Sequence, residues 1–394
     1  MNMNKIRTYI EILLVSFRLG LTSFGGPVAH LAYFQDEYVN RRKWLDDKSY
    51  ADLIALCQFL PGPASSQVGI SIGMVRGGIL GGIIAWFGFT VPSVIALVLF
   101  ALFLNGSGIQ DAVWISALKV VAVAVVAHAI MNMGKKLTPD RPRITIAVLA
   151  SLVLLFYQTA LAQITIILIA AFIGVYLFRK QDLPEGQDVE LHYKKKTGII
   201  SLILFIAFLI GTPILASTAS SVYITIFDIF YRVGSIVFGG GHVVLPLLQA
   251  EVVPNGLVSK ELFLAGYGAT QAVPGPMFTF SSYLGTIIAS VPGAIVATLA
   301  MFLPSFFLLV GVLPFWNQLR KNNNVRAGLL GVNAAVVGIL LAALYDPIWT
   351  SAIESNKDIA IAIGSFTLLY HWKKPAWLVV LVTVIAYIGV SLIV

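Results

Sequence analysis

Apolar stretches separated by short polar loops make up most of this chain, and their lengths predict two kinds of helix. A stretch of about 18 or more apolar residues can cross a bilayer as one α-helix. Shorter apolar stretches that end at Gly or Pro predict helices that enter the membrane and break there. In the first half, spanning helices, two of them short, are predicted at 6–24, 77–104, 110–134, 143–157 and 160–178.

Two breaks interrupt the first half. The first span ends at Phe24-Gly25-Gly26, and Pro27 suits the first turn of a new, short helix. The second break is Pro61-Gly62-Pro63, which joins a short helix at 49–59 to another short helix. Two short helices joined by a Pro/Gly tip predict a re-entrant hairpin, whose open backbone must be covered by protein or line a cavity.

The second half repeats both breaks in register. Residues 17–27 match residues 231–241, so Gly239-Gly240-Gly241 is the counterpart of the first break, and Pro274-Gly275-Pro276 is the counterpart of the second. Helix-breaking signals repeated at matched positions are typical of membrane transporters. The remaining spans predicted in this half are 292–316, 325–345, 358–371 and 375–394.

An added span at 198–216 has no partner in the first half, and it would invert the second copy. Lys and Arg concentrate in the loops that this inversion puts on the cytoplasmic side. We therefore predict an all-α polytopic membrane protein with two inverted-topology repeats, each with two broken or re-entrant helical hairpins plus spanning helices. The predicted parts are a first transmembrane repeat at 1–180, a polar linker and topology-inverting span at 181–218, and a second transmembrane repeat at 219–394.

Composition agrees with a membrane protein. Of the 394 residues, 58% are hydrophobic and 11% are charged, whereas soluble domains carry about 25% charged residues. The net charge of +8 lies largely in the short loops, so it indicates membrane topology and not nucleic-acid binding. These loops predict a multi-pass protein with a cytoplasmic N-terminus and its C-terminus outside.

Motifs for catalysis and cofactors are missing from the sequence. Cys57 is the single cysteine, which excludes a disulfide within one chain. There is no phosphate-binding Walker motif and no His, Cys and carboxylate cluster with metal-ligand spacing. We predict no cofactor, no metal and no enzyme activity, since no nucleophile–base pair or acidic dyad lies at useful spacing. A membrane enzyme or lipid-handling protein stays the weaker alternative.

The breaks are the predicted anion site. A helix that starts inside the membrane presents unpaired N–H groups and about half a positive charge. Four such starts that converge would bind an anion without lysines. The alternative is that they are kinks packed by their neighbours. The predicted substrate-binding residues of the breaks are Gly25, Gly26, Pro27, Pro61, Gly62, Pro63, Gly239, Gly240, Gly241, Pro274, Gly275 and Pro276.

Three cations lie within predicted spans. Arg18 and Arg232 are at matching positions, and an Arg at the centre of a span costs about 2.5–3.5 kcal/mol on insertion scales. Each could contact the substrate or cap backbone carbonyls of a re-entrant tip, and the sequence leaves both open. Lys119 has no basic counterpart in the second half, and we predict that it faces the cavity.

Other polar residues near the breaks are weaker candidates. Gln58 and Gln271 precede the two Pro-Gly-Pro motifs and could donate to an oxyanion or cap a broken helix. Ser65, Ser66 and Thr279 could donate hydroxyl hydrogen bonds. His30 and His242 follow the Gly-rich breaks, where a histidine could carry a proton for coupling or could serve packing.

The paired motifs resemble the chromate ion transporter family in its long, two-repeat form. The resemblance rests on Arg18, Phe24-Gly25-Gly26-Pro27 with His30, the two Pro-Gly-Pro motifs, and Arg232 with the Gly239–His242 segment. It covers nearly the whole chain. It implies a carrier of the cell inner membrane that exports chromate and confers resistance, with sulfate as a competing or exchanged ion. The second half has Gly241 where the first has Pro27, so the two half-sites need not be alike.

The favoured hypothesis is a secondary transporter of a divalent tetrahedral oxyanion that works by alternating access. Its expected partners are a small oxyanion (chromate or sulfate) and the lipid bilayer, with no nucleic acid, and a homodimer is one arrangement it could adopt. The alternatives are an anion channel on the same scaffold and a carrier of another oxyanion such as sulfate. Chromate and sulfate share their charge and have similar shapes, so the residues do not distinguish them.

Overall fold

The computed structural model describes residues 3–24, 26–107, 113–157, 159–180, 195–238, 241–319 and 321–392. Within these ranges the ordered elements are helices, and there is no β-strand. Six helical stretches in these ranges are long and apolar enough to cross a membrane. The chain is therefore an all-α, multi-pass membrane protein, as the apolar pattern predicts.

The helices of the first half follow the predicted order. They are α1 (Met3–Thr22), α2 (Gly26–Phe34), α3 (Asp47–Phe59), α4 (Ala64–Ser107), α5 (Val113–Leu137), α6 (Arg141–Phe156) and α7 (Ala160–Phe178). A π-helical turn, Gln35–Arg41, continues α2. Polar side chains cap several starts, because the first N–H groups of a helix have no partner within it. Asp46 accepts from the Ser49 N–H before α3, and Asp140 accepts from the Arg143 N–H before α6.

The second half begins with the added span and then repeats the first. Its helices are α8 (Lys195–Thr218), α9 (Val222–Ile236), α10 (Val244–Val252), α11 (Lys260–Thr270), α12 (Phe280–Val312), α13 (Trp316–Leu319), α14 (Asn323–Ala343), α15 (Thr350–Ala352), α16 (Asn356–Tyr370) and α17 (Ala376–Ser391). The 3₁₀ turns Gly241–Val243 and Met277–Thr279 precede α10 and α12.

Helices α4 and α12 each turn back on themselves at matched positions. The turn in α4 has Gly78 at φ +66°, and the turn in α12 has Ser290 at φ +55°. Because residues eight apart in a straight helix are about 12 Å apart, the close approach of Gly73 to Gly81 requires that the chain reverses. Gly285 and Gly293 approach each other in the same way. Each helix is therefore a hairpin of two arms that cross at glycines.

The two halves exchange their last helices. Helix α5 packs against α16 and α17, while its counterpart α14 packs against α6 and α7. The contacts are close enough to need small residues, because a Cβ on Gly174 would meet the Ala327 carbonyl oxygen at 2.5 Å. This exchange buries α5 and α14 at the centre of the molecule, where they can line a path between the halves.

Helix α8 covers the second half alone. It packs on α9 and α12, where Ser201 donates to the Phe307 carbonyl (2.9 Å) and Thr212 donates to Asp228 (2.9 Å). On the face of α1 that corresponds to the α8-covered face of α9, Leu14 and Phe17 are exposed. The predicted extra span is therefore present, and it makes the surroundings of α1 and α9 unequal.

The crossing of the α4 arms generates a stability prediction. A Cβ at position 73 would lie 2.5 Å from the Gly81 carbonyl oxygen and 2.7 Å from Ala85 Cβ. We expect Gly73→Ala to destabilise the protein by about 1–3 kcal/mol through overpacking, measured by thermal unfolding in detergent. Gly364→Ala is the control, since a Cβ there meets nothing within 4 Å. Equal melting temperatures for the two variants would contradict the crossing.

Candidate functional site

The breaks of the two halves are hydrogen-bonded to each other. The Gly62 N–H donates to the Val237 carbonyl (2.7 Å), and the Gly275 N–H donates to the Ser23 carbonyl (2.9 Å). Gly62 and Gly275 are matched positions, and so are Ser23 and Val237. Each Pro-Gly-Pro tip is thus tied to the first break of the other half.

Side chains from the hairpin helices cover the same tips. Ser93 donates to the Pro274 carbonyl (2.6 Å), and Gln67 donates to the Pro61 carbonyl (2.7 Å). Gly62 and Gly275 have φ of +117° and +95°, a region that favours glycine. A Cβ on Gly62 would also lie 2.6 Å from the hydroxyl of Ser305, the counterpart of Ser93. Protein covers the open backbone of each tip, as non-helical chain at membrane depth requires.

An inner chamber of about 300 Å³ lies against three of the four breaks. The residues of the breaks that line it are Gly26, Pro27, Gly241, His242, Gln271, Val273, Gly275 and Met277. Helix α5 contributes His128 and Asn132, and Lys374 and Pro375 come from the loop before α17. The chamber therefore combines N-terminal ends of broken helices with two histidines and a lysine.

A wider vestibule of about 620 Å³ shares four lining residues with the inner chamber: His128, Asn132, Leu369 and Lys374. Its other lining residues are Lys135, Tyr370, His371 and Lys373. None of the described residues that line the two chambers is acidic. We call the vestibule the basic entrance, because the charged residues that line it are all lysines.

Hydrogen bonds orient several of these side chains. Lys135 Nζ donates to the Tyr370 hydroxyl (2.6 Å), and the Asn132 amide donates to His128 Nε2 (2.9 Å). His242 Nδ1 lies 2.7 Å from the Tyr267 hydroxyl. These contacts hold the imidazoles and the amide at the chamber wall, where their remaining polar atoms can face an ion.

Several other predicted site residues line neither chamber. Pro61, Gly62 and Pro63 form the fourth break, which packs behind Val237 and Ser305. Gln58 is exposed on α3, whereas its counterpart Gln271 is buried at the chamber. The carbonyls of Pro274 and Pro276 are occupied by Ser93 and Thr279. Gly25, Gly239 and Gly240 lie outside the described residues.

His30 and the two serines lie in packed surroundings. His30 Nδ1 is 3.2 Å from the Ser65 hydroxyl, and its ring is edge-on to Phe89, with centroids 5.4 Å apart. The Ser66 hydroxyl is buried and has no hydrogen-bond partner among the described residues. His30 is fully buried and does not line either chamber, so its contacts favour the packing alternative that the sequence left open.

Arg232 forms ion pairs with two carboxylates. Its guanidinium contacts Asp228 (2.9 Å) and makes a two-pronged pair with Glu251, with one contact of 3.1 Å. In the first half, Glu37 takes the position of Glu251 but pairs with Arg42 (2.7 Å), and Arg18 lies on the exposed face of α1. Neither arginine lines a chamber. The partners of Arg232 are carboxylates and not backbone carbonyls of a re-entrant tip, so its contacts match neither alternative that the sequence left open.

Lys119 does not face the chambers, contrary to the sequence-based prediction. Its Nζ lies 3.7 Å from Glu354, just before α16. It is nine residues from His128 along α5, which is about 13 Å. Hydropathy gives the depth of a residue in a helix but not the neighbours that the exchanged α16 and the loop before it supply.

The sequence missed the residues of the basic entrance. His128 and Asn132 lie one turn apart on α5, and Lys135, Lys373 and Lys374 were interpreted as topology signals. The available signal was the spacing of His128, Asn132 and Lys135, which puts three polar side chains on one face of α5.

The ion pairs of Arg232 generate a prediction that separates the two arginines. Arg232→Ala leaves two buried carboxylates without their partner, so we expect a loss of about 3 kcal/mol of stability. Arg18→Ala, at an exposed position, is expected to cost less than about 1 kcal/mol. Thermal unfolding in detergent measures both. Equal, small losses would return Arg232 to the list of substrate-binding candidates.

Comparisons with known proteins identify the family of this chain. The family model for the chromate transporter matches residues 10–175 and 224–390, one match in each half. An uncharacterized transporter, MJ0718, of Methanocaldococcus jannaschii is 27% identical over 96% of this chain and 94% of its own length. The chromate transport protein of Pseudomonas aeruginosa is 26% identical over 95% of this chain and 90% of its own length.

A probable chromate transport protein of Synechococcus elongatus is 28% identical over 94% of this chain and 92% of its own length. No solved structure matches the chain. The family match covers most of both halves, and its members are membrane transporters and not enzymes. The chain belongs to the chromate transporter family.

Proposed function

We propose that this chain is a secondary transporter of a divalent tetrahedral oxyanion, with chromate the favoured substrate, and that the ion binds in the inner chamber. The observation that carries the proposal is the pair of neighbouring chambers, which share four lining residues and whose described lining includes three lysines and three histidines but no carboxylate. A dianion entering this path meets positive charge in the vestibule and then the N-terminal ends of broken helices.

Binding in the inner chamber uses backbone and side-chain donors together. Gly26, Gly241 and Gly275 bring the main chain to the chamber wall. Met277 takes the place of a Cβ at Gly241, Ser93 takes it at Gly275, and the Gly275 N–H is bonded to Ser23. The proposed backbone donors are therefore the N–H groups in the first helical turns that follow these glycines. Lys374 supplies a full charge at the junction with the vestibule, and His242 and Gln271 supply polar side chains. Donors from several directions match the four oxygens of a tetrahedral ion.

The identity of the ion comes from the relatives. Two of the relatives are named for chromate transport, one of them as probable. Sulfate has the same charge and a similar shape, so it competes with chromate or exchanges for it. Export of chromate from the cell would confer resistance.

The ends of the helices support inverted repeats. The C-terminal end of α5 meets that of α16 through Lys135 and Tyr370, and a short loop joins it to α6. Gly338 of α14 packs on Ala147 of α6. Farther along both helices, Leu154 of α6 lines the same small space as Ala342 and Ala343 of α14, so the two helices run in the same direction. Since α6 starts where α5 ends, α14 runs opposite to its counterpart α5. The single additional span between the halves, α8, accounts for this inversion.

The unequal cavity volumes on the two sides of the molecule favour a carrier over a channel. Where α5 meets the α16–α17 loop, the two chambers are wide. Where α14 meets α6 and α7, at the related place on the other side, the space is about 10 Å³. An arrangement that is open on one side and closed on the other is what alternating access requires. A conducting channel would need a path through both sides.

The basic entrance faces the cytoplasm in this proposal. Lys135, Lys373 and Lys374 lie at the same end as the loops rich in Lys and Arg, which stay inside. The protein would then lie in the cell inner membrane with its N-terminus inside and its C-terminus outside. The homodimer stays a prediction.

Neutralising the entrance tests the proposal. Lys373→Gln with Lys374→Gln is expected to raise the KM for chromate about tenfold in inside-out vesicles and to weaken the salt dependence of uptake, because steering by charge is lost. Lys195→Gln with Lys196→Gln is the matched control, an exposed pair of lysines outside both chambers. An unchanged KM in the first variant, or an equal rise in the control, would contradict this entry path.

A further inference from the structure

We propose that Lys260 and Asp346 hold the outer side closed, and that Asp47 and Lys135 form the matching pair on the inner side when the protein faces outward. This inference rests on the alternating access of the proposed function and deepens it. It assigns four charged residues at the two ends of the path, none of which the sequence identified as part of the site.

The outer pair is formed in this structure. Lys260 Nζ, at the start of α11, lies 3.2 Å from Asp346 Oδ1, just after α14. The Thr350 hydroxyl also donates to Asp346 (3.0 Å). Asp346 lines the space of about 10 Å³ where α14 meets α6 and α7. The pair therefore connects the start of α11, in the re-entrant hairpin of the second half, to the segment that follows the central helix α14, beside this small space.

Matching the two halves puts an equivalent pair on the inner side with the signs exchanged. Asp46 caps α3 as Ser259 caps α11, so Asp47 is the counterpart of Lys260. With the crossing glycines of α4 and α12 in register, Asp346 matches Gly134, and Lys135 is the next residue, near the end of α5. The inner hairpin thus presents an aspartate and the inner end of the central helix presents a lysine.

The inner residues have other partners in this structure. Asp47 accepts from Gln35 Nε2 (3.0 Å), and Lys135 donates to the Tyr370 hydroxyl while it lines the vestibule. The inner side is open, so these two partners hold the charges apart. Closing the inner side as the outer side is closed now would bring the start of α3 to the end of α5 and join Asp47 to Lys135.

The exchanged signs also give each pair a second role. The residue that lines the path is Lys135 on the inner side and Asp346 on the outer side. With the inner side open, Lys135 attracts the oxyanion. With the outer side open, Asp346 lines the exit and repels the dianion, which favours release. The outer pair is partly exposed, so it shifts the equilibrium by about two- to fivefold and can break during the cycle. The inner pair, between two residues that are exposed here, is expected to be equally weak.

Disulfide cross-linking tests the inner pair. In a Cys57→Ser background, Asp47→Cys and Lys135→Cys are introduced, and the rate of oxidative cross-linking is measured in full-length protein in liposomes. We expect slow cross-linking that Asp346→Asn accelerates about two- to fivefold, because that change weakens the outer closure. Glu261→Gln, on the next residue of α11 and outside the pair, is the control and is expected to leave the rate unchanged.

A charge exchange checks that the effect comes from the outer pair and not from misfolding. Lys260→Asp puts two carboxylates together and should accelerate cross-linking further, while Lys260→Asp combined with Asp346→Lys should return the rate to its starting value. The proposal is overturned if cysteines at 47 and 135 never cross-link, or if the outer variants leave their rate unchanged. No substrate is needed, so failure of chromate transport in the parent protein would count against the proposed function alone.

Discussion

Two main-chain hydrogen bonds between the halves hold the centre of this protein together. Gly62 to Val237 and Gly275 to Ser23 each join a Pro-Gly-Pro tip to the first break of the other half. In a bilayer, an unpaired N–H or C=O costs several kcal/mol, so broken helices persist there only if something satisfies the open backbone. Here each half satisfies the other, and neither broken hairpin is complete alone. The chamber exists because these tips meet.

The symmetry of the breaks is not carried through to the chamber. Three breaks line it, while the fourth packs behind Val237. The central helices α5 and α14 are counterparts, but α5 carries His128, Asn132 and Lys135 where the matched positions at and after the end of α14 are Leu340, Leu344 and Pro347. Helix α8 adds a further difference between the halves, since it packs on α9, whereas the corresponding face of α1 is exposed. A pseudo-symmetric scaffold thus holds a site that is polar on one side.

The sequence predicted the fold well because the physics that sets it is local. Apolar length gave the spans, and the two repeated breaks gave the hairpin tips, with α8 as the extra span. Of the predicted site residues, Gly26, Pro27, Gly241, His242, Gln271 and Gly275 line the inner chamber. Lys119 lines neither chamber, and the lysines of the entrance were not predicted, because both positions depend on which helices the halves exchange. Matching motifs along a chain does not reveal that exchange.

The most direct test of the central claim is the position of the bound ion. A structure of the protein with bound chromate would show where the ion lies, because chromium scatters more strongly than the atoms of the protein. We expect density in the inner chamber, against the backbone near Gly26, Gly241 and Gly275 and within reach of Lys374. Density beside Arg18 or Lys119, with an empty inner chamber at saturating chromate, would contradict the account.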